Sequence, residues 1–267
     1  MFLYEMFGFF WIVAWIIAIQ LFVTCCSVCL WYFGGHGSDV GEAGEGDKPY
    51  GVWISLKWAF RYHLGSLAWG AFLIAVVTTI RVIFEYFVYQ YEKTEMKDNI
   101  IFKIITCCIR CYLKCLDCCV KFMNKNAYIQ VALHNVSFCE GAKQSFWIIA
   151  ANARRFTVVS VTGSILSFLG KALITTFCFF LTQILVSAMT PDVEMIFIPA
   201  FIVAIFAWMI SSVFLSVYDF AALTILHCFC LDESQGEGTR NTPDGLKKFL
   251  EAEDPELAKI KKANAIV

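Results

Sequence analysis

Four stretches of this chain stay apolar for the length that crosses a bilayer, and each is bounded by polar or charged positions. They run roughly from Met6 to Trp31, Leu64 to Tyr86, Lys171 to Met189 and Ile196 to Ala222. Each is near the ~20 residues that a hydrocarbon core of ~30 Å demands of a helix. The second is the clearest, with an uncharged run from Leu64 to Ile80 ending at Arg81 and Glu85. Hydrocarbon offers no water to bond backbone amides, so such a run is stable there only as a helix. The first stretch lacks a basic leader and a small-residue cleavage pattern, and Glu5 precedes it. It reads as a retained transmembrane helix and not as a secretory signal.

The pattern between these stretches predicts the rest of the architecture. The segment from Gly34 to Tyr50 is rich in glycine and acidic residues (Asp39, Glu42, Glu45, Asp47) and reads as a solvated loop. The linker from Arg81 to Arg155 holds eleven of the 21 Lys and Arg residues, while the short one from Ser187 to Ile198 carries Asp192 and Glu194 and no base. The positive-inside rule puts the long linker in the cytosol, and with it both chain ends. The basic tail agrees, and Lys57 and Arg61 dissent. We therefore expect an all-α, polytopic membrane protein with four transmembrane helices and an amphipathic in-plane cytosolic helix region. A membrane domain covers 1–230, with interfacial helices over about 100–156, and a cytosolic tail covers 231–267.

Composition supports the lipid bilayer as the main partner: 59% of residues are hydrophobic, only 16% are charged, and mean hydropathy is +0.67. With a net charge of −1 and no basic stretch interleaved with aromatics, nucleic acid is excluded as a partner. Small residues at Ser66 and Gly70, and at Ala71 and Ala75, lie one turn apart and predict a face against which another helix packs closely. Arg81 and Glu85, also one turn apart, are spaced for a local ion pair.

Chemistry concentrates in the long linker. Cys108, Cys111, Cys115 and Cys118 fall on one helical stripe, with Lys103, Arg110, Lys114 and Lys121 on other faces. Zinc binding is disfavoured because three residues between the two pairs are too few to fold back, so no metal site is expected. One-helix geometry likewise argues against disulfides. Two readings stay open: reversible palmitoylation beside a basic membrane-surface helix, and small apolar side chains facing lipid. His36, His63, His134 and His227 are scattered, and neither a phosphate loop nor a nucleophile elbow is present. The chain reads as a non-enzyme without a cofactor.

A family resemblance then emerges from five ordered stretches: Arg61-Tyr-His-Leu-Gly-Ser-Leu-Ala-Trp-Gly with the cysteine-rich helix after it; Lys121-Phe-Met-Asn-Lys-Asn-Ala-Tyr-Ile; Ser137-Phe-Cys139 with Ala142-Lys143; Phe168-Leu-Gly-Lys171; and Phe214-Leu-Ser-Val-Tyr218 through Cys228-Phe-Cys230. In this order they resemble the C-terminal half of choline transporter-like proteins. That resemblance implies a ten-helix fold of which this chain carries the last four helices, and a role in uptake of choline and related amino alcohols. It implies as partners a choline-class cation and other transmembrane helices or a missing transporter half. Where the family carries acidic residues before Phe-Leu-Gly-Lys, this chain has Ser160 and Ser164. Where the family brings an Asp just before Thr224, this chain has Leu223, with Asp219 one turn earlier. A non-transporting accessory subunit of a larger membrane complex is the alternative.

A quaternary ammonium cannot donate a hydrogen bond, so aromatic faces and a carboxylate are the groups to seek. Trp69 and Tyr86 in the second span, and Phe214, Tyr218 and Asp219 in the fourth, are the substrate-binding candidates. Trp and Tyr also serve as interface anchors. Counting from Pro199, Asp219 lies about 30 Å along a helix and is expected at the inner interface; Lys171, by the same arithmetic from Met189, snorkels to the inner headgroups.

Overall fold

The structure is a computed structural model that describes residues 1–34, 51–93, 100–189 and 197–234. Among them the chain forms α1 (Phe2–Gly34), α2 (Gly51–Trp58), a π-helical turn (Ala59–His63), α3 (Leu64–Glu92), α4 (Ile100–His134), α5 (Phe138–Ala151), α6 (Ala153–Met189) and α7 (Phe197–Ser234), with no strand. Four helical stretches are long and apolar enough to cross a membrane, at Phe2–Phe33, Gly51–Glu92, Ala153–Met189 and Phe197–Ser234. The first three contain the predicted spans, and the fourth contains all of its span but Ile196, which lies outside the described residues. The acidic segment over 35–50, Asp192, Glu194 and the basic tail lie outside the described residues.

The helices outrun the predicted spans because hydropathy marks only the lipid-facing part of a helix. The second begins at Gly51 and not at Leu64, the third at Ala153 and not at Lys171, and the fourth continues to Ser234 beyond Ala222. In these extensions polar side chains find partners on the neighbouring helix. Arg155 on α6 donates to Glu233 on α7 at 2.6 Å, with both side chains largely buried. Such a pair lets two helices continue together where the sequence no longer looks apolar.

α1 is apolar on every side and divides its faces between protein and the surroundings. Ala14, Ala18, Phe22, Cys25 and Cys26 are buried, whereas Phe9, Ile12 and Ile16 are exposed. It runs antiparallel to α2 and α3: Phe7 meets Phe72, Trp11 Nε1 donates to the Ala68 carbonyl at 3.1 Å, and Ser27 meets Ser55 at 3.1 Å. The small-residue face of α3 does what its spacing predicts. Gly70, Ala71 and Ala75 are all buried.

α4 pairs lengthwise with α3. Its contacts follow α3 in reverse order, from Tyr91 stacked on Phe102, through Glu85 with Arg110 and Arg81 with Asp117, to Gly70 with Asn124 and Leu67 with Tyr128. A helix paired in this way with a membrane-spanning one follows its direction. The expected pair of Arg81 with Glu85 is replaced by these links across helices, because each charge faces an opposite charge on α4. Asn135, at φ 53°, ends α4 in the left-handed region that Asn tolerates better than most side chains, and its N–H donates back to Val131 at 3.0 Å. α5 then returns along α4, with Gly141 held against the Ala127 carbonyl and Val131.

α6 and α7 form an antiparallel pair, and the last turns of α7 pack on α1 and α4. Cys29 and Cys228 bring their sulfurs within 3.8 Å, beside Tyr32. The contact brings the C-terminal ends of α1 and α7 together. The α4 segment from Asn124 to Val131 enters the bundle enclosed by protein, so it can be polar and escape a search for apolar runs.

Candidate functional site

The five substrate-binding candidates named from sequence do not converge. Trp69 is half exposed, with its ring stacked on Phe72 at 5.6 Å and 14°. Tyr86 lies about 25 Å farther along α3 by helix rise, exposed, its hydroxyl accepting from Gln90 at 2.8 Å. Phe214 and Tyr218, one turn apart on α7, are 67% and 71% exposed. Asp219 instead faces α6, where Ser167 donates to its carboxylate at 2.6 Å and a Cβ added to Gly163 would lie 3.2 Å from the same oxygen. α7 continues well past Asp219 to Ser234, so this carboxylate sits within a helix pair and not at a helix end. The aromatic candidates form no cage among the described residues; hydropathy spacing placed them on helices but not on inward faces.

What the structure gathers is a polar seam along α4. Asn124, Asn126, Tyr128 and Gln130 are all buried, enclosed by α1, α3, α5 and α7. Asn124 donates to the Gly70 carbonyl at 2.6 Å, and the Tyr128 hydroxyl reaches the Leu67 carbonyl at 3.5 Å. Gly70 is what permits this approach. A Cβ there would collide with the Tyr128 hydroxyl and lie 2.7 Å from the Phe138 ring. On the other side of α4, Asn126 Oδ1 meets His227 Nε2 of α7 at 2.9 Å, and the Phe156 ring packs edge-on to the imidazole at 4.7 Å.

Several polar atoms of this seam have no partner among the described residues. They are both amide atoms of Gln130, the Ser145 hydroxyl and His227 Nδ1, all in side chains with no exposed surface. Gln130 stands one turn after Asn126, and Ser145 one turn after Gly141, whose own neighbours are Ala127 and Gln130. Donors and acceptors left unsatisfied in an apolar interior cost ~1–3 kcal/mol each. Their concentration on α4 and the helices packed against it marks a place equipped to meet a small polar group.

The exposed face of α4 carries the thiols. Cys108, Cys111, Cys115 and Cys118 are exposed and free, as are Cys107 and Cys119, while Thr106, Leu113 and Asp117 face the opposite way, into the protein. Beside them Arg110 grips Glu85 through two bonds of 2.8 and 2.7 Å, a charge-assisted fork. Asp117 receives both Arg81 at 3.0 Å and Lys121 at 2.8 Å. No group of three or more metal-ligating side chains forms among the described residues.

His227 is the functional candidate that sequence reasoning missed. Its partner Asn126 lies 101 positions away, so no local motif marks it. The available signal was the stretch from Lys121 to Ile129, one of the five that carried the family resemblance. Comparison with known proteins bears that resemblance out. Residues 1–234 match the family described as plasma-membrane choline transporter. Choline transporter-like protein 2 of Dictyostelium discoideum is 31% identical over 249 residues, covering 93% of this chain and 38% of the relative. Choline transporter-like 2 of Drosophila melanogaster is 33% identical over 253 residues, covering 92% and 30%, and choline transporter-like protein 1 of Caenorhabditis briggsae is 33% identical over 248 residues, covering 90% and 30%. The chain spans about a third of the length of these curated relatives. The match takes in every described helix, and with them the whole of the polar seam: this chain belongs to the choline transporter-like family.

Proposed function

We propose that this protein forms part of a pathway that moves a choline-class organic cation across a membrane, and that the seam around α4 is where the cargo's hydroxyl is recognised. The carrying observation is the burial of Gln130, Ser145 and His227 with unpartnered polar atoms, level with the apolar part of α3. Polar groups at that depth are costly and are characteristic of substrate paths. A choline-class cation offers one hydroxyl, which Gln130 or His227 Nδ1 can bond, and a quaternary ammonium, which needs aromatic faces such as Phe156 or Tyr128. Saturable choline uptake in the native cell tests the reading: deleting the gene should lower it. Unchanged uptake would favour the accessory-subunit reading.

We further infer that α4 is a fifth crossing, which puts the two ends of the described region on opposite faces. The support is the reverse-order pairing of α4 with α3 and the contact between Cys29 and Cys228. Protease sites inserted separately after Thr94 and after Ser234 should then be cut from opposite sides of sealed vesicles. Cutting from the same side would restore four crossings. Asn135, in the sequon Asn135-Val136-Ser137, would share the face of the tail, and not that of the turn between α3 and α4.

The exposed thiols of α4 are the acylation candidates. They face away from α3 and lie beside Lys103, Lys114 and Lys121, the setting in which reversible palmitoylation occurs. Hydroxylamine should release a lipid label from the wild type, and far less should be attached when Cys108, Cys111, Cys115 and Cys118 are serine. A wild type without label returns the stripe to plain lipid contact.

A further inference from the structure

We propose that Cys29 of α1 and Cys228 of α7 are a built oxidative modification site, a reversible disulfide clasp that joins the two helices when a small, neutral hydroperoxide reaches it. Their sulfurs are already 3.8 Å apart, and a disulfide requires an approach to about 2.05 Å. The two residues are 199 positions apart in sequence, so the pairing is a product of the fold and not of a local motif. Both thiols are buried, but not equally: Cys228 has no exposed surface, while Cys29 keeps 8%.

That difference has a structural source. Cys29 lines a cavity of about 330 Å³, together with Cys26, Leu30, Phe33 and Trp58. The cavity is apolar and therefore admits an uncharged organic hydroperoxide more readily than a charged oxidant. Cys29 is the sulfur that meets it, and Cys228, sealed behind it, is the resolving partner. In the first step the Cys29 sulfur attacks the distal peroxide oxygen and the O–O bond breaks. The alcohol leaves with the thiol proton, and Cys29 becomes a sulfenic acid. In the second step the Cys228 sulfur attacks the Cys29 sulfur, the S–O bond breaks, and the hydroxyl departs as water with the Cys228 proton. Two electrons pass from the thiol pair to one peroxide, giving one disulfide, one alcohol and one water.

The exposed thiols of α4 react with the same reagents but have no route to this pair. Cys26 lines the same cavity and is the internal control. Sealed membranes holding the full protein are treated with cumene hydroperoxide, remaining thiols are blocked, and linked peptides are identified by mass spectrometry. The expected result is a dominant intramolecular link between the peptides of Cys29 and Cys228, reversed by dithiothreitol, lost in Cys29→Ser and in Cys228→Ser, and retained in Cys26→Ser. Absence of that linked peptide from the oxidised wild type, or pairing of Cys29 with other cysteines as often as with Cys228, would overturn the proposal. The wild-type readout stands even where a serine variant fails to fold, and it does not depend on what the protein transports.

Discussion

Replacing Gly70 by alanine should cost this protein ~1–3 kcal/mol, the usual price of forcing extra volume into a closely packed core. The added Cβ would meet the Tyr128 hydroxyl, the Phe138 ring at 2.7 Å and the Tyr128 ring carbon at 3.0 Å, with Asn124 bonded to the same residue's carbonyl. None of these can retreat easily, because Tyr128 is fully buried and Phe138 nearly so. Gly65 is the control. It sits five residues earlier in the same helix with open space around the Cβ position, so Gly65→Ala should be neutral or stabilise by ~0.5–1 kcal/mol through helix propensity. Thermal unfolding in detergent reads both. Equal effects at the two glycines would mean that α4 does not press against α3 as described.

The second large effect is expected at the Asn126–His227 bond. His227→Leu removes one partner and leaves Asn126 Oδ1 buried without its hydrogen bond, a loss of ~1–3 kcal/mol. Asn126→Leu strands His227 Nε2 in the same way. Replacing both by leucine removes the stranded group altogether, so the double variant should be more stable than the sum of the two single losses predicts. Additive losses would mean that the two side chains do not share a bond, and would separate α7 from the seam.

Much of the fold was legible in the sequence, because lipid imposes a one-dimensional rule on the residues that face it. The helices around Leu64–Ile80, Lys171–Met189 and Ile196–Ala222 could be read from apolar length, and the close approach at Gly70 from the spacing of small residues. The seam could not be read this way. Asn124, Asn126 and Gln130 are polar, and their segment reads as a helix at the membrane surface until α1, α3, α5 and α7 are known to enclose it. Counting crossings by hydropathy passes over any helix that protein shields from lipid, so the proposed crossing of α4 would change the sidedness expected for the tail. Arg81 and Glu85 look like partners at four-residue spacing, yet each meets a better-placed charge on α4. The aromatic candidates are a separate case. Trp69, Tyr86, Phe214 and Tyr218 satisfy the chemistry of ammonium recognition one by one, but convergence is a property of three dimensions.

The account stands most directly on one measurement, saturable uptake of labelled choline in the native cell after the deleted gene is replaced by either the wild type or Gln130→Leu. Gln130 has no bond to lose within the described fold, so this variant should reach the membrane in normal amount. With equal abundance in the membrane verified, the account predicts that the wild type restores uptake and that Gln130→Leu restores it only weakly, with a raised KM for choline. Full restoration by Gln130→Leu with an unchanged KM would contradict the placement of the cargo's hydroxyl in the α4 seam.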